Sequence, residues 1–139
     1  MHDPYHLQRF LDAQDTVVDQ VRSELRLGRK SGHWMWFIFP QIRGLGHSHL
    51  ANLYAITSRE EAAAYLEHPI LGPRLRECTQ LVNQVEGRSI EQIFGYPDYL
   101  KFRSSMTLFA HAGAENDVFT HAIGKYFAGE YDRLTIERL

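Results

Sequence analysis

The stretch His33-Trp34-Met35-Trp36-Phe37-Ile38-Phe39-Pro40-Gln41 decides the fold class, because it is apolar on every face and periodicity alone cannot tell a buried strand from a buried helix. Its aromatic content favours a strand. A lone strand, however, leaves its backbone amides and carbonyls without a ladder partner. The other strand candidate, Leu50 to Ile56, equally suits a helix through Leu50, Leu53 and Tyr54. The sequence therefore predicts an all-α fold: a compact orthogonal helical domain of about five to seven helices spanning residues 1–139, with no sheet beyond a minor hairpin. Segment 33–41 is left as a short helix or an extended stretch.

On its N-terminal side, Asp3 and Pro4 form a cap and first-turn pair. Leu7, Phe10, Leu11, Val17, Val18, Val21 and Leu25 follow at three-to-four spacing up to Gly28. That pattern predicts a long amphipathic helix, broken near Asp15-Thr16. On the C-terminal side, Ser58 with Glu61 makes a capping box for a helix through Tyr65-Leu66, and Pro69 opens the next one. The stripe Leu71, Leu75, Cys78, Val82 and Val85, with Gly87 after it, places Cys78 in the core. Ser89 with Gln92 repeats the box before Ile93-Phe94-Gly95, and Pro97-Asp98 starts a helix running to about Ala112. On that helix Tyr99, Phe102, Met106 and Phe109 share one face, and Lys101, Ser104, Ser105 and Leu108 another. Asn116-Asp117 begins a further helix ended by Gly129, and Asp132 caps a last short one.

A chain of 139 residues buries about 68% of its unfolded surface, enough for a core without disulfides or metals. Its 44% hydrophobic and 23% charged residues are globular values. The net charge of −2 gives no bulk attraction to a nucleic-acid polymer or an anionic lipid surface. The longest apolar run, Trp34 to Pro40, is far short of the ~20 residues that cross a bilayer. The one cysteine cannot form an internal bridge, and MHDPYHLQ lacks the basic-then-apolar layout of a signal peptide, so a cytoplasmic location is expected.

Three groups of residues suit ligand chemistry. The first is the turn Gln41-Ile42-Arg43-Gly44-Leu45-Gly46-His47-Ser48, just before a predicted helix. Amides freed by Gly44 and Gly46, together with a helix N-terminus, hold phosphate or carboxylate. Neither Rossmann nor P-loop spacing is met, and a plain connecting turn is the competing reading. The second group is His33, Trp34 and Trp36: an imidazole and two indoles that can stack a base, or simply fill a small core. The third is the Lys101, Ser104 and Ser105 face, which suits phosphate or sugar hydroxyls, or is an ordinary solvated helix face. His2/His6 and His47/His49 lie within reach of one ion, but no HExxH or paired Cys/His module supports a metal site. No cofactor is expected. An apolar Cys78 is no nucleophile, and no GxSxG elbow exists.

Segment 33–41, the following Gly44-Leu45-Gly46 with Ser48, the stretch Tyr65 to Gly72 and the run Ser104-Ser105-Met106-Thr107-Leu108-Phe109 together resemble a known family. It is a domain-of-unknown-function family of small, mostly bacterial proteins, some loosely labelled calpastatin. The resemblance covers nearly the whole chain and implies an all-helical fold with no established activity. The calpastatin label has no physical support, since that inhibitor is a disordered repeat protein and this chain has neither repeats nor a disorder-prone composition. A partial resemblance to the NADAR superfamily, associated with NAD, ADP-ribose and N-glycosidic bond cleavage, rests on two features. They are His68-Pro69-Ile70-Leu71 at a helix start, and Phe94-Gly95 where that superfamily has Trp-Gly.

The expected function is a pocket for an ADP-ribose-type or other nucleotide-sugar ligand, with N-glycosidic hydrolysis as the associated chemistry. Trp34 or Trp36 would stack the base, Gln41, Gly44, Gly46 and Ser48 would meet an anion, and Lys101, Ser104 and Ser105 would complete the pocket. As catalytic residues, Asp98 would stabilise oxocarbenium charge or activate water, and His33 would protonate the departing base. The alternative is a non-enzymatic interaction or dimerisation module using segment 33–41. A metal-dependent hydrolase ranks last.

Overall fold

The computed structural model describes residues 2–139, and within them the chain is all-helical, 59% helix with no strand. Ten helices follow one another: α1 (Gln8–Gln14), α2 (Val18–Leu27), α3 (Met35–Ile38), α4 (His49–Leu53), α5 (Arg59–Glu67), α6 (Leu71–Asn83), α7 (Ile90–Phe94), α8 (Asp98–Ala110), α9 (Asp117–Phe127) and α10 (Arg133–Glu137). The count exceeds the five to seven expected. The excess comes from the first predicted helix being two, α1 and α2, and from α3 and α4, whose four and five residues are too short for a 3.6-residue period to register.

Segment 33–41 turns out to be the short helix α3 followed by extended chain. Its single pairing is an isolated parallel bridge between Ile42 and Ile56, in which the Ile56 amide donates to the Gln41 carbonyl and the Arg43 amide to that of Ile56, each at 2.8 Å. Trp34, Met35, Ile38, Phe39 and Pro40 are buried. Phe39 stands edge-on to both Phe94 and Phe102, with ring centres 5.8 and 5.0 Å away, and Phe94 stacks on Phe102 at 4.8 Å. Such pairs add directional preference to the area they bury. The aromatic density is thus a core knot between α3, α7 and α8.

The predicted long first helix is two helices, α1 and α2, separated at residues 15–17 where the break was expected. It also starts later than Pro4. Both oxygens of Asp3 take the amides of Leu7 and Gln8, so Asp3-Pro4 forms a turn ahead of α1 rather than its first turn. Gly28 ends α2 in the left-handed conformation, at φ 72°. Similarly, α6 begins at Leu71 instead of Pro69, with His68 Nδ1 accepting from the amides of Ile70 and Leu71. In the first turn of α6, a Cβ on Gly72 would run into the Leu66 carbonyl, so only glycine allows α5 and α6 to meet so closely.

Both capping serines do as predicted: Ser58 accepts from the Glu61 amide and Ser89 from that of Gln92, each at 3.1 Å. The reciprocal arm differs. Gln92 returns to the Ser89 amide, whereas the Glu61 carboxylate takes Thr57 and the Arg9 guanidinium instead. The core centres on α8, which packs against α5, α7, α9 and α10. Every residue of α8 from Ser104 to Ala110 is buried, as expected of a helix covered on all sides.

One carboxylate fastens the loop before α3. Glu24, 7% exposed, receives Ser31 N, Gly32 N and Trp34 Nε1 on Oε1 and Gln20 Nε2 on Oε2, at 2.7–2.9 Å. Burial pushes its carboxyl upward, but these donors more than offset that and hold it at about 2 against an ordinary 4.5. Because the folded value is the lower one, the stabilisation is complete above pH 4.5 and fades as pH falls from about 4.5 to about 2. Glu24→Ala should cost roughly 1–3 kcal/mol at neutral pH by orphaning buried donors. Its urea midpoint should also lose the acid dependence over that window, which paired titrations of both proteins would measure. Cys78 is buried, and desolvation pushes its thiol up to about 12. Native protein should therefore react slowly with a thiol reagent and denatured protein quickly.

Candidate functional site

Four of the residues expected to bind ligand come together. Gln41, Gly46, Lys101 and Ser104 line one cleft of about 330 Å³, walled by the 41–46 loop, the first half of α8 and α10. Arg103 and Asp132 complete its polar lining, over an apolar floor from Leu45, Pro97, Leu100 and Leu134. The volume sits at the low end of small-molecule sites.

The polar groups have donors and acceptors left over. The Lys101 ammonium has one carboxylate in reach, Asp98 Oδ1 at 3.5 Å, and sits 5.4 Å from the Trp36 ring centre. Arg103 donates Nε to the Glu130 carbonyl and Nη2 to that of Tyr131, and the exposed Glu130 carboxylate stands 3.7 Å from Nη2, which among the described residues leaves Nη1 without a hydrogen-bond partner. Asp132 Oδ2 accepts from the hydroxyls of Ser104 at 2.8 Å and Thr135 at 2.5 Å. Its amide donates to Thr107 Oγ1 at 2.9 Å. Chemically, then, the cleft offers two cations, one carboxylate and an amide side chain over hydrocarbon.

The other expected residues lie elsewhere or are already engaged. Trp34 is 1% exposed with its indole N–H spent on Glu24, so it is a core residue and presents no stacking face to a ligand. Trp36 is half-buried beside Lys101. His33 is exposed and outside the cleft lining. Asp98 is gripped by Lys30, Oδ2 to Nζ at 2.8 Å, as well as facing Lys101. Gly44 stands at φ 98° under the Arg138 guanidinium, away from the cleft lining. Ser48 caps α4 by accepting from Ala51 N. Ser105 is fully buried, its hydroxyl without a partner.

Arg103 and Asp132 are the functional candidates that sequence reasoning missed. Asp132 carried a signal only as a helix cap, and the structure turns its side chain to Ser104 instead. Wider hollows of about 410 and 630 Å³ run along α6; Arg76, which lines both, donates Nη1 to the Glu115 carbonyl and lies 5.4 Å from the Phe119 ring centre. The smaller cleft stands out by gathering two cations, a carboxylate and four of the residues that the sequence singled out. Among the described residues no group of three or more His, Cys, Asp or Glu is placed to hold a metal ion, and no helix is long and apolar enough to cross a membrane.

Comparison with known proteins agrees with this architecture. A family model described as "Protein of unknown function (DUF1810)" matches residues 4–139. The crystal structure of the conserved hypothetical protein Rv1873 from Mycobacterium tuberculosis is similar at 60% sequence identity and a TM-score of 0.98, covering 99% of this chain and 98% of that one. No curated protein matches.

The two lysines around Asp98 should behave differently when removed. Lys30 is 8% exposed and also donates to the Gly32 carbonyl, so Lys30→Ala should cost about 1.5–3 kcal/mol. Lys101, 26% exposed and loosely paired, should cost less than about 1 kcal/mol as Lys101→Ala. Chemical denaturation of both variants reads the contrast.

Proposed function

The chain belongs to that uncharacterised family, and we propose that its cleft binds a phosphorylated sugar unit, of the kind carried by ADP-ribose and related nucleotide sugars. One observation supports this above the rest: Lys101 and Arg103 keep unspent donors in the same small cleft as the Asp132 carboxylate. Cations with free N–H groups suit phosphate, and a carboxylate suits sugar hydroxyls. Leu45, Pro97 and Leu100 supply the apolar surface that a sugar ring covers.

Size argues for part of a nucleotide sugar rather than the whole, since about 330 Å³ is near the minimum for small-molecule pockets. Binding is the reading; hydrolysis would require more. An N-glycosidase needs an acid for the leaving base, while His33 stands outside the cleft and Asp98 is occupied by Lys30. The partner-binding alternative has little surface to work with, because segment 33–41 is mainly core and only His33 in it is exposed.

Ribose 5-phosphate, AMP and ADP-ribose should raise the melting temperature. Ligand at 100 times its dissociation constant adds about 2.7 kcal/mol, a shift of several degrees for a chain this size. Lys101→Ala should weaken binding by roughly 1.5–3 kcal/mol through loss of a charge-assisted contact. Absence of any shift with all three ligands, or affinity unchanged in both Lys101→Ala and Arg103→Ala, would overturn the assignment.

A further inference from the structure

We infer, resting on the sugar-phosphate reading above, that Asp132 is the specificity-determining residue of the cleft and selects ligands whose sugar keeps its vicinal ribose hydroxyls over deoxy forms. The argument begins with how this carboxylate is held. Asp132 precedes α10 in the position of a helix cap, yet its side chain makes no cap bond. Instead Oδ2 takes two hydroxyl donors from two different helices, Ser104 on α8 and Thr135 on α10, and the main-chain amide is tied to Thr107. A carboxylate fixed at one oxygen by two donors has a set direction, and the acceptor sites of that oxygen are used.

The other oxygen is open. Among the described residues Oδ1 has no hydrogen-bond partner and no lysine or arginine comes within 4.0 Å of the Asp132 carboxylate, although Lys101 and Arg103 line the same cleft. The carboxylate is therefore not consumed as a structural ion pair. An ionised carboxylate only accepts, so Oδ1 is matched by a donor, and adjacent sugar hydroxyls are donors that bring no third positive charge into a cleft already holding two. Phosphate would be repelled from Oδ1 and drawn to the cations, which gives the ligand one orientation. A site built to bond a hydroxyl discriminates strongly against the analogue without it, because its own polar group is then left unpaired.

The experiment measures dissociation constants by calorimetry for AMP, 2′-deoxy-AMP and 3′-deoxy-AMP against the wild-type chain, Asp132→Asn and Thr135→Val. The wild type should bind AMP roughly 10- to 100-fold more tightly than at least one deoxy analogue, the range of a charge-assisted hydrogen bond. Asp132→Asn should lose most of that ratio, so that AMP and the two deoxy analogues bind within a few-fold of one another. Thr135→Val, which keeps the charge but frees its direction, should narrow the ratio in part, and it covers the case in which Asp132→Asn fails to fold. Equal affinity for all three nucleotides in the wild type, or an undiminished ratio in both variants, overturns the inference and leaves the phosphate reading standing. No binding of any nucleotide removes the phosphate reading, and the inference with it.

Discussion

The Glu24 carboxylate is the contact on which the placement of the aromatic segment depends. Segment 28–34 has no regular structure to satisfy its own amides, and buried amides without partners are costly. Glu24 answers two of them, Ser31 and Gly32, and the Trp34 indole as well, all on one oxygen. This turns a loop between α2 and α3 into a fixed approach. Trp34 is delivered into the core at a set angle, and Phe39, Phe94 and Phe102 then pack in sequence behind it. Lys30, in the same loop, reaches Asp98 at the start of α8. The polar anchor and the hydrophobic knot are thus two parts of one arrangement.

A second polar staple works from the opposite end. The Arg9 guanidinium bonds the carbonyls of Tyr5, His6, Leu53 and Ala55 and the Glu61 carboxylate. Its planar fork of five N–H groups is used fully, which no lysine could imitate. The short helix α4 has no buried residue of its own, and a helix of that length is unstable in isolation. Its C-terminal end is held from outside by Arg9. The short helix α10, whose one buried residue is Thr135, shares this condition, so polar side chains rather than apolar faces determine where these two sit.

That division explains what the sequence revealed. Long amphipathic stripes were legible: Leu71, Leu75, Cys78, Val82 and Val85 are all buried as expected, and Ser58 and Ser89 cap as their spacing implied. Segment 33–41 was not, because a run that is apolar on all sides carries no period, and its outcome was set by a Glu24 contact ten residues away. The same applies to α8. Its supposed polar face, Ser104 and Ser105, is buried because α5, α7, α9 and α10 together enclose the helix, and no local pattern announces a covering helix. In the candidate site, Gln41, Gly46, Lys101 and Ser104 were read from residue type. Arg103 and Asp132 were hidden, since their roles arise from the return of the C-terminal segment against α8.

The cleft therefore depends on a helix that cannot stand alone. Five residues are too few to nucleate α10 in water, and Leu134 and Ile136 remain exposed on it, so its apolar burial is small. What fixes it is the group Ser104, Thr107, Asp132 and Thr135, joined by three hydrogen bonds, with Arg138 lying against Gly44 outside the cleft. Deleting any member weakens a wall and a ligand contact together, because Asp132 belongs to both. Conversely, a ligand bridging Lys101 on α8 to the Asp132 carboxylate would add a connection between the same two elements. Local order of the C-terminal helix and occupancy of the cleft are then thermodynamically linked, each favouring the other by the same free energy.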